Sequence, residues 1–292
     1  MKLIDLRLAD IGTDDLYGFT YPSAPERWLG IADRFPGLPL LVVDGQRRIV
    51  CGHDRLVLLR RGGVDRFTVL QADLPAAECL LLNYNVLERL FGLNLYEKLL
   101  FLKKISPQLA DAEIRRRAPL GFALDDELRL RLDILLGAPF RSCLAAGRLG
   151  LRTALKLAAQ AEDDRLAQLE IFQACGFSES RQWQMAHMLE EIAFRDRKPI
   201  ARVLLGLDLQ RLLLGEMPQE KVLAAVQARR YPELTRREKE WRTWRRKAEA
   251  GGGLALAHAP LFASGEVQVT LTVKNREAAE KLLRQLKKTV KH

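Results

Sequence analysis

"IVCGHDRLVLLRRGG", residues 49–63, decides the fold. It reads as a short apolar strand, a glycine turn, and a basic amphipathic helix halted by Gly62-Gly63. Leu56 and Leu59 point inward at helical spacing, with the stem of Arg60 beside them. A glycine between strand and helix lets a ligand approach the backbone closely. The amides that follow it point outward at a helix N-terminus, where an anion is favoured. Arg55 adds a planar fork suited to phosphate, and Arg60 and Arg61 raise the local positive potential. The alternative reading is a plain strand-to-helix turn in which His53 and Asp54 act as caps.

Outward from this stretch, strand and helix signals alternate. "LPLLVV" (38–43) and "RIVC" (48–51) flank "DGQR", a hairpin signal. "KLIDLRL" (2–8) alternates like a strand, and "DRFTVLQ" (65–71) is another. "PERWLGIADRF" (25–35) and "LPAAECLLLNYNVLERL" (74–90) have helical spacing behind a proline. From Leu93 to Glu249 almost every window is helical, punctuated by "APLG", "GAP", "GRLG" and Pro232. "AEAGGGLALAHAP" (248–260) is a Gly-rich break. Beyond it, "GEVQVTLTV" (265–273) alternates strictly, with Val267, Val269, Leu271 and Val273 on one face. The helix expected next carries the stripe Ala278, Leu282, Leu286 and Val290. These patterns predict an α+β chain with an α/β domain (1–105), an all-α domain (106–214), a basic helical linker (215–250) and a small C-terminal β-α module (251–292). One strand and one helix bury little alone, so that module needs the preceding segment or a second subunit.

Composition narrows the function classes. The 292 residues are 48% hydrophobic and 29% charged, a globular balance. No apolar run approaches the ~20 residues of a membrane span, so no membrane partner is expected. "MKLIDLRLAD" has no apolar leader core, which points to the cytoplasm. Cys51, Cys79, Cys143 and Cys175 stand far apart, without a CxxC pair or zinc-ligand spacing, as expected of reduced thiols. The net charge is +10, and residues 215–292 hold 17 Lys and Arg against nine Asp and Glu. A localised basic excess is the footprint of a polyanion partner, DNA above all. "RRYPELTRREKEWRTWRRK" (229–247) concentrates it, with Arg236, Arg237, Arg242, Arg245 and Arg246 as candidate phosphate contacts. Trp241 and Trp244 share one face of that helix and read as core anchors.

The order of segments resembles the ParB family, whose N-terminal domain shares its fold with sulfiredoxins. The matching pieces are Gly37 followed by "PLLVV", "IVCGHDRLVLL" (49–59), "YNVLER" (84–89), "LNLYE" (93–97) and "GAPFRSCLAAGRLGLRTALKLAAQ" (137–160). Together they cover about residues 1–160 in order. The resemblance implies that Gly52, His53, Asp54 and Arg55 bind the triphosphate of CTP, with Arg89 nearby. It implies Mg2+ on Asn85, with Asp54 as a candidate second ligand. Three positions depart from the family pattern. Asp54 replaces an arginine of the box, Tyr84 replaces the acid before the asparagine, and Arg89 is displaced by one residue with Glu88 in its place. Aligned with the sulfiredoxin box, His53 falls where the catalytic cysteine belongs and Cys51 lies on the wrong side of the glycine.

The resemblance further implies a helix-turn-helix, here "QLADAEIRRRA" (108–118) and "DDELRLRLDILL" (125–136), with Leu128, Leu132, Leu135 and Leu136 buried. Arg115, Arg116, Arg117 and Arg129 are its candidate DNA contacts. The second helix opens with Asp125, Asp126 and Glu127, and the connection is long for a tight turn. The expected role is a ParB-like, DNA-associated regulatory protein of the nucleoid, a homodimer switched by CTP. The alternatives are a nucleotide-dependent kinase or NTPase of the same fold, and a partner-binding scaffold with a decayed nucleotide box.

Overall fold

The computed structural model describes residues 1–12, 16–21, 41–213, 218–250, 254–264, 266–277, 279–280 and 283–284. The helix expected over 25–35, Gly37, residues 38–40 of the expected strand, and the stripe Ala278, Leu282, Leu286 and Val290 lie outside them. The architecture is α+β, with a sheet near the N-terminus, a helical body and a C-terminal hairpin. Among the described residues, no helix is long and apolar enough to cross a membrane.

The sheet holds β1 (Lys2–Arg7), β2 (Val42–Val43), β3 (Ile49–Cys51) and β4 (Arg66–Gln71), in the order β1-β4-β2-β3. β4 runs antiparallel to β1, with Lys2 opposite Gln71, and parallel to β2. β2 and β3 form the expected hairpin. Its turn is fixed by Asp44, whose Oδ1 accepts from the backbone N–H of Gln46 and of Arg48, each at 2.9 Å. Between β3 and β4 the chain makes α1 (His53–Arg61).

Because strand side chains alternate, the sheet has two covered faces. On one, Leu6, Val43, Ile49 and Val69 pack against Leu56 of α1. On the other, Val42 and Val50 join the cluster that includes Cys79, Leu80 and Tyr84 of α2 (Ala76–Phe91). The sheet therefore stands between α1 and α2. Each large apolar side chain so buried contributes roughly 1.5–3 kcal/mol.

The second cluster continues through the helical body: α3 (Leu95–Ile105), α4 (Asp111–Arg117), α5 (Asp126–Leu135), α6 (Ala138–Ala145), α7 (Leu151–Ala158), α8 (Glu162–Ala174), α9 (Glu179–Asp196), α10 (Ile200–Leu205), α11 (Leu209–Leu213) and α12 (Pro218–Arg230). "LNLYE" has a structural task at the start of α3. Asn94 and Glu97 bond to each other's backbone N–H at 3.0 Å, a reciprocal cap. Glu97 also accepts from the backbone of Tyr21 at 3.1 Å, tying the N-terminal segment to the helices. Gln182 staples the "GRLG" loop, accepting from Gly150 N–H at 2.9 Å and donating to the Arg148 carbonyl at 3.0 Å.

α13 (Pro232–Glu249) carries β5 (Leu254–His258) and β6 (Val267–Leu271), an antiparallel pair with Leu254 opposite Leu271. The Gly-rich break therefore hides a strand, β5, where the sequence suggests only a linker. Short alternating Leu and Ala beside three glycines leave no strand signal of their own. Trp241 and Trp244 hold the hairpin, packing against Ala248 and Leu256. The Trp241 ring stands edge-on to His258 at 4.9 Å. Val267 and Val269 of β6 stay exposed.

Candidate functional site

The turn at Gly52 joins β3 to α1. Gly52 adopts φ 89°, ψ 29°, a left-handed conformation that L-residues resist. Its carbonyl accepts the first helical bond, from Leu56 N–H at 2.9 Å. The Gly52 cap position contributes no side-chain bond to the first turn of α1. His53, Asp54 and Arg55 are all half-buried there. The Arg55 guanidinium lies over the Phe67 ring, 5.0 Å from its centroid, and its Nε is buried without a hydrogen-bond acceptor. Burial holds this guanidinium below its ordinary pKa, so it is an under-compensated cation. Arg60 is anchored differently from the sequence expectation. Its guanidinium donates to the carbonyls of Leu8 and Ile11, each at 3.3 Å, and so ties α1 to the end of β1.

The structure does not bring the rest of the expected nucleotide site to this turn. Asn85 and Arg89 lie on α2, which covers the opposite face of the sheet. The Asn85 amide donates to the carbonyls of Leu81 at 2.9 Å and Arg117 at 3.5 Å. Arg89 is exposed in the last turn of α2. Tyr84 is a core residue whose hydroxyl donates to the Pro119 carbonyl at 2.9 Å. Glu88 receives Lys98 at 2.8 Å and the Leu93 N–H at 2.7 Å, locking the α2–α3 corner. Among the described residues, no three His, Cys, Asp or Glu side chains gather to hold a metal ion. The donor set implied for Mg2+, Asn85 with Asp54, is thus divided between two helices on opposite sides of the sheet and does not fit a shared ion.

One feature escaped sequence reasoning. Asp44, almost wholly buried, accepts from Tyr17 Oη at 3.1 Å and from Arg48 Nε at 2.7 Å. Burial, together with the Asp44 bond, pushes the Tyr17 hydroxyl up to about 12. Its only local sign was the "DG" of the hairpin; the tyrosine is 27 residues away. Cys51 and Cys79 are both buried, on β3 and α2. Burial pushes the Cys51 thiol up to about 12, the opposite of a reactive thiolate.

The arginines divide into engaged and open sets. Arg117 makes a forked pair with Glu78 at 2.6 and 2.5 Å. Arg116 pairs with Glu113 at 2.6 Å, and Arg115 reaches the Leu124 carbonyl at 3.5 Å. Arg129 is bound to Asp111 and Ser106. α5, the helix expected to read bases, exposes Asp126, Glu127, Leu130 and Asp133, with Arg131 paired to Glu127 and Lys103 of α3 paired to Asp133. On α13, Arg236 pairs with Glu233 and Glu240, and Arg245 with Glu249. Arg237, Lys239, Arg242, Arg246 and Lys247 are exposed and make no ion pair among the described residues. Lys239, Arg242 and Arg246 follow one ridge at i, i+3 and i+7, flanked by Thr235 and Thr243. The chain matches no protein-family model, and no curated protein matches it.

Proposed function

We propose that this chain is a ParB-like, DNA-associated regulatory protein that grips a nucleic-acid backbone along α13 and takes a nucleotide's phosphates at the Gly52 turn. The observation that carries the reading is the ridge of Lys239, Arg242 and Arg246, open cations on an 18-residue helix. From 239 to 246 the ridge runs about 10 Å, long enough to meet more than one phosphate of a strand. Phosphate contacts of this kind release counterions, so affinity should fall steeply with salt. Titrating a labelled duplex between about 50 and 200 mM salt tests this. A linear log–log decline supports the reading, and salt-independent retention sinks it.

The nucleotide half rests on the left-handed Gly52, the helix N-terminus it opens and the buried, acceptor-less Nε of Arg55. Its test is thermal stabilisation by CTP, ATP, ADP and GTP. A CTP-only shift supports the ParB reading, and an ATP or ADP shift moves the chain to a kinase or NTPase. No shift removes the nucleotide from the proposal and leaves a scaffold. Mg2+ is no part of the proposal, because Asn85 and Asp54 stand on opposite sides of the sheet. The homodimer and the nucleoid location belong to the same proposal. The exposed Val267 and Val269 of β6 suit a second copy, and sedimentation of the full chain reads the stoichiometry.

A further inference from the structure

We infer that the nucleic acid taken by α13 is single-stranded, or locally unpaired, and that Phe194 and Tyr231 stack its bases. This rests on the phosphate-gripping reading of α13 and names its ligand more closely. Phe194, in the last turn of α9, is 88% exposed, the most exposed large apolar residue of the described chain. Its neighbours are cations. Arg195, Arg197 and Lys198 border one depression with it, and Arg197 and Lys198 make no ion pair among the described residues.

This tip is joined by direct bonds to the end of α12, two residues before α13 begins. Arg195 donates to the carbonyls of Arg229 and Arg230 at 3.0 and 2.9 Å, and Asp196 pairs with both Arg195 and Arg229. Arg230 pairs with Glu191 and lies over the Tyr231 ring, 4.5 Å from its centroid. Tyr231 is itself exposed. It shares a cavity of about 460 Å3 with Arg230, Thr235, Glu238 and Arg242, one carboxylate beside two guanidinium groups, so the surface continues onto the ridge. Around the tip Arg197 and Lys198 are the open cations, while Arg195 and Arg229 are held by Asp196 and Arg230 by Glu191.

A cationic track with two exposed rings beside it suits a strand whose bases are free. Phosphates follow the cations, and the π-faces of unpaired bases cover the rings. A duplex keeps its bases stacked inside and has no use for an exposed phenyl group at the rim, unless it is kinked. An anionic lipid surface would also meet a ring among cations. The track along α13 favours the polymer, because its cations follow a line some 10 Å long from Lys239 to Arg246.

The test is fluorescence anisotropy on the full chain with oligothymidylate, a duplex of equal length, and vesicles containing phosphatidylserine. Oligothymidylate should bind at least tenfold tighter than duplex. Phe194→Ala and Tyr231→Ala should each weaken it about fivefold or more, with duplex affinity unchanged, and Phe194→Trp should restore it. Equal affinity for both forms, or no effect of Phe194→Ala, overturns the stacking and leaves the backbone grip standing. Failure to bind any nucleic acid overturns the backbone grip as well. Vesicle binding that depends on Phe194, with oligothymidylate indifferent to it, overturns the inference in favour of a lipid surface.

Discussion

Arg117 on α4 and Arg242 on α13 both belong to arginine-rich helices that the sequence marks as candidate DNA contacts. In the fold they differ in what surrounds them. Arg117 spends both guanidinium nitrogens on Glu78 and touches Glu113 as well, so α4 is fastened to α2. Arg242 faces outward from a helix with one buried side chain, Ala248. The charge of the first is consumed inside the molecule, and that of the second is available to a partner. Counting basic residues therefore overstates the open charge of both helices, and of α4 more than of α13.

The strongest way to break this contrast is charge reversal on the ridge. K239E/R242E/R246E should lower nucleic-acid affinity by roughly 100-fold or more at about 0.1 M salt, and reduce the salt slope by about 2.7 on a duplex or about 2.1 on a single strand. An unchanged slope would return the contact to another surface. Next comes the fastening pair. Glu78→Ala should lower stability by no more than about 1 kcal/mol in urea unfolding and leave nucleic-acid affinity within about twofold. The Arg117 guanidinium beside Glu78 holds its carboxyl below the usual glutamate range. The pair's contribution is therefore complete above the unfolded value of about 4.3 and is lost as pH falls through the lower folded value. Stability of Glu78→Ala should accordingly converge on wild type below that window, and a constant difference down to pH 2 would refute the ionic account.

Gly52→Ala forces a side chain into φ 89° and should destabilise by about 1–2 kcal/mol. It should also erase any nucleotide-induced thermal shift, whereas Gly62→Ala, at φ −77°, should keep it. The smallest expected effect sharpens the contrast within α13 itself. Arg236 is already paired with Glu233 and Glu240, so Arg236→Ala should change affinity by less than about twofold. A loss equal to that of Arg242→Ala would show that exposed pairs on this helix yield to phosphate.

Local signals were legible and long-range ones were not. Gly52, Gly62-Gly63 and the apolar spacing between them located α1 closely, because caps and periodicity are properties of neighbouring residues. "NREAAEKLLRQLKKTV" promised a helix whose stripe lies outside the described residues. The partner of Arg117 is 39 residues away, and nothing near "RRR" announces that its third member is bound. The same distance problem hid the sheet between α1 and α2, and with it the separation of Asn85 from Gly52. A segment order can place motifs along a chain, but it does not say which face of a sheet each helix covers.

Tyr231 interrupts the helical path between α12 and α13, with φ −121° and ψ 65°, and Pro232 opens the new helix. The 18 residues beyond it form a rod about 27 Å long, with the hairpin seated toward its far end by Trp241 and Ala248. Mechanically this is a lever with its fulcrum at one residue. A turn of about 10° at Tyr231 would sweep the far end by roughly 5 Å, carrying cations and hairpin together. Whatever occupies the ground beside Tyr231 thus holds the short arm, and the reach of the long arm follows from it.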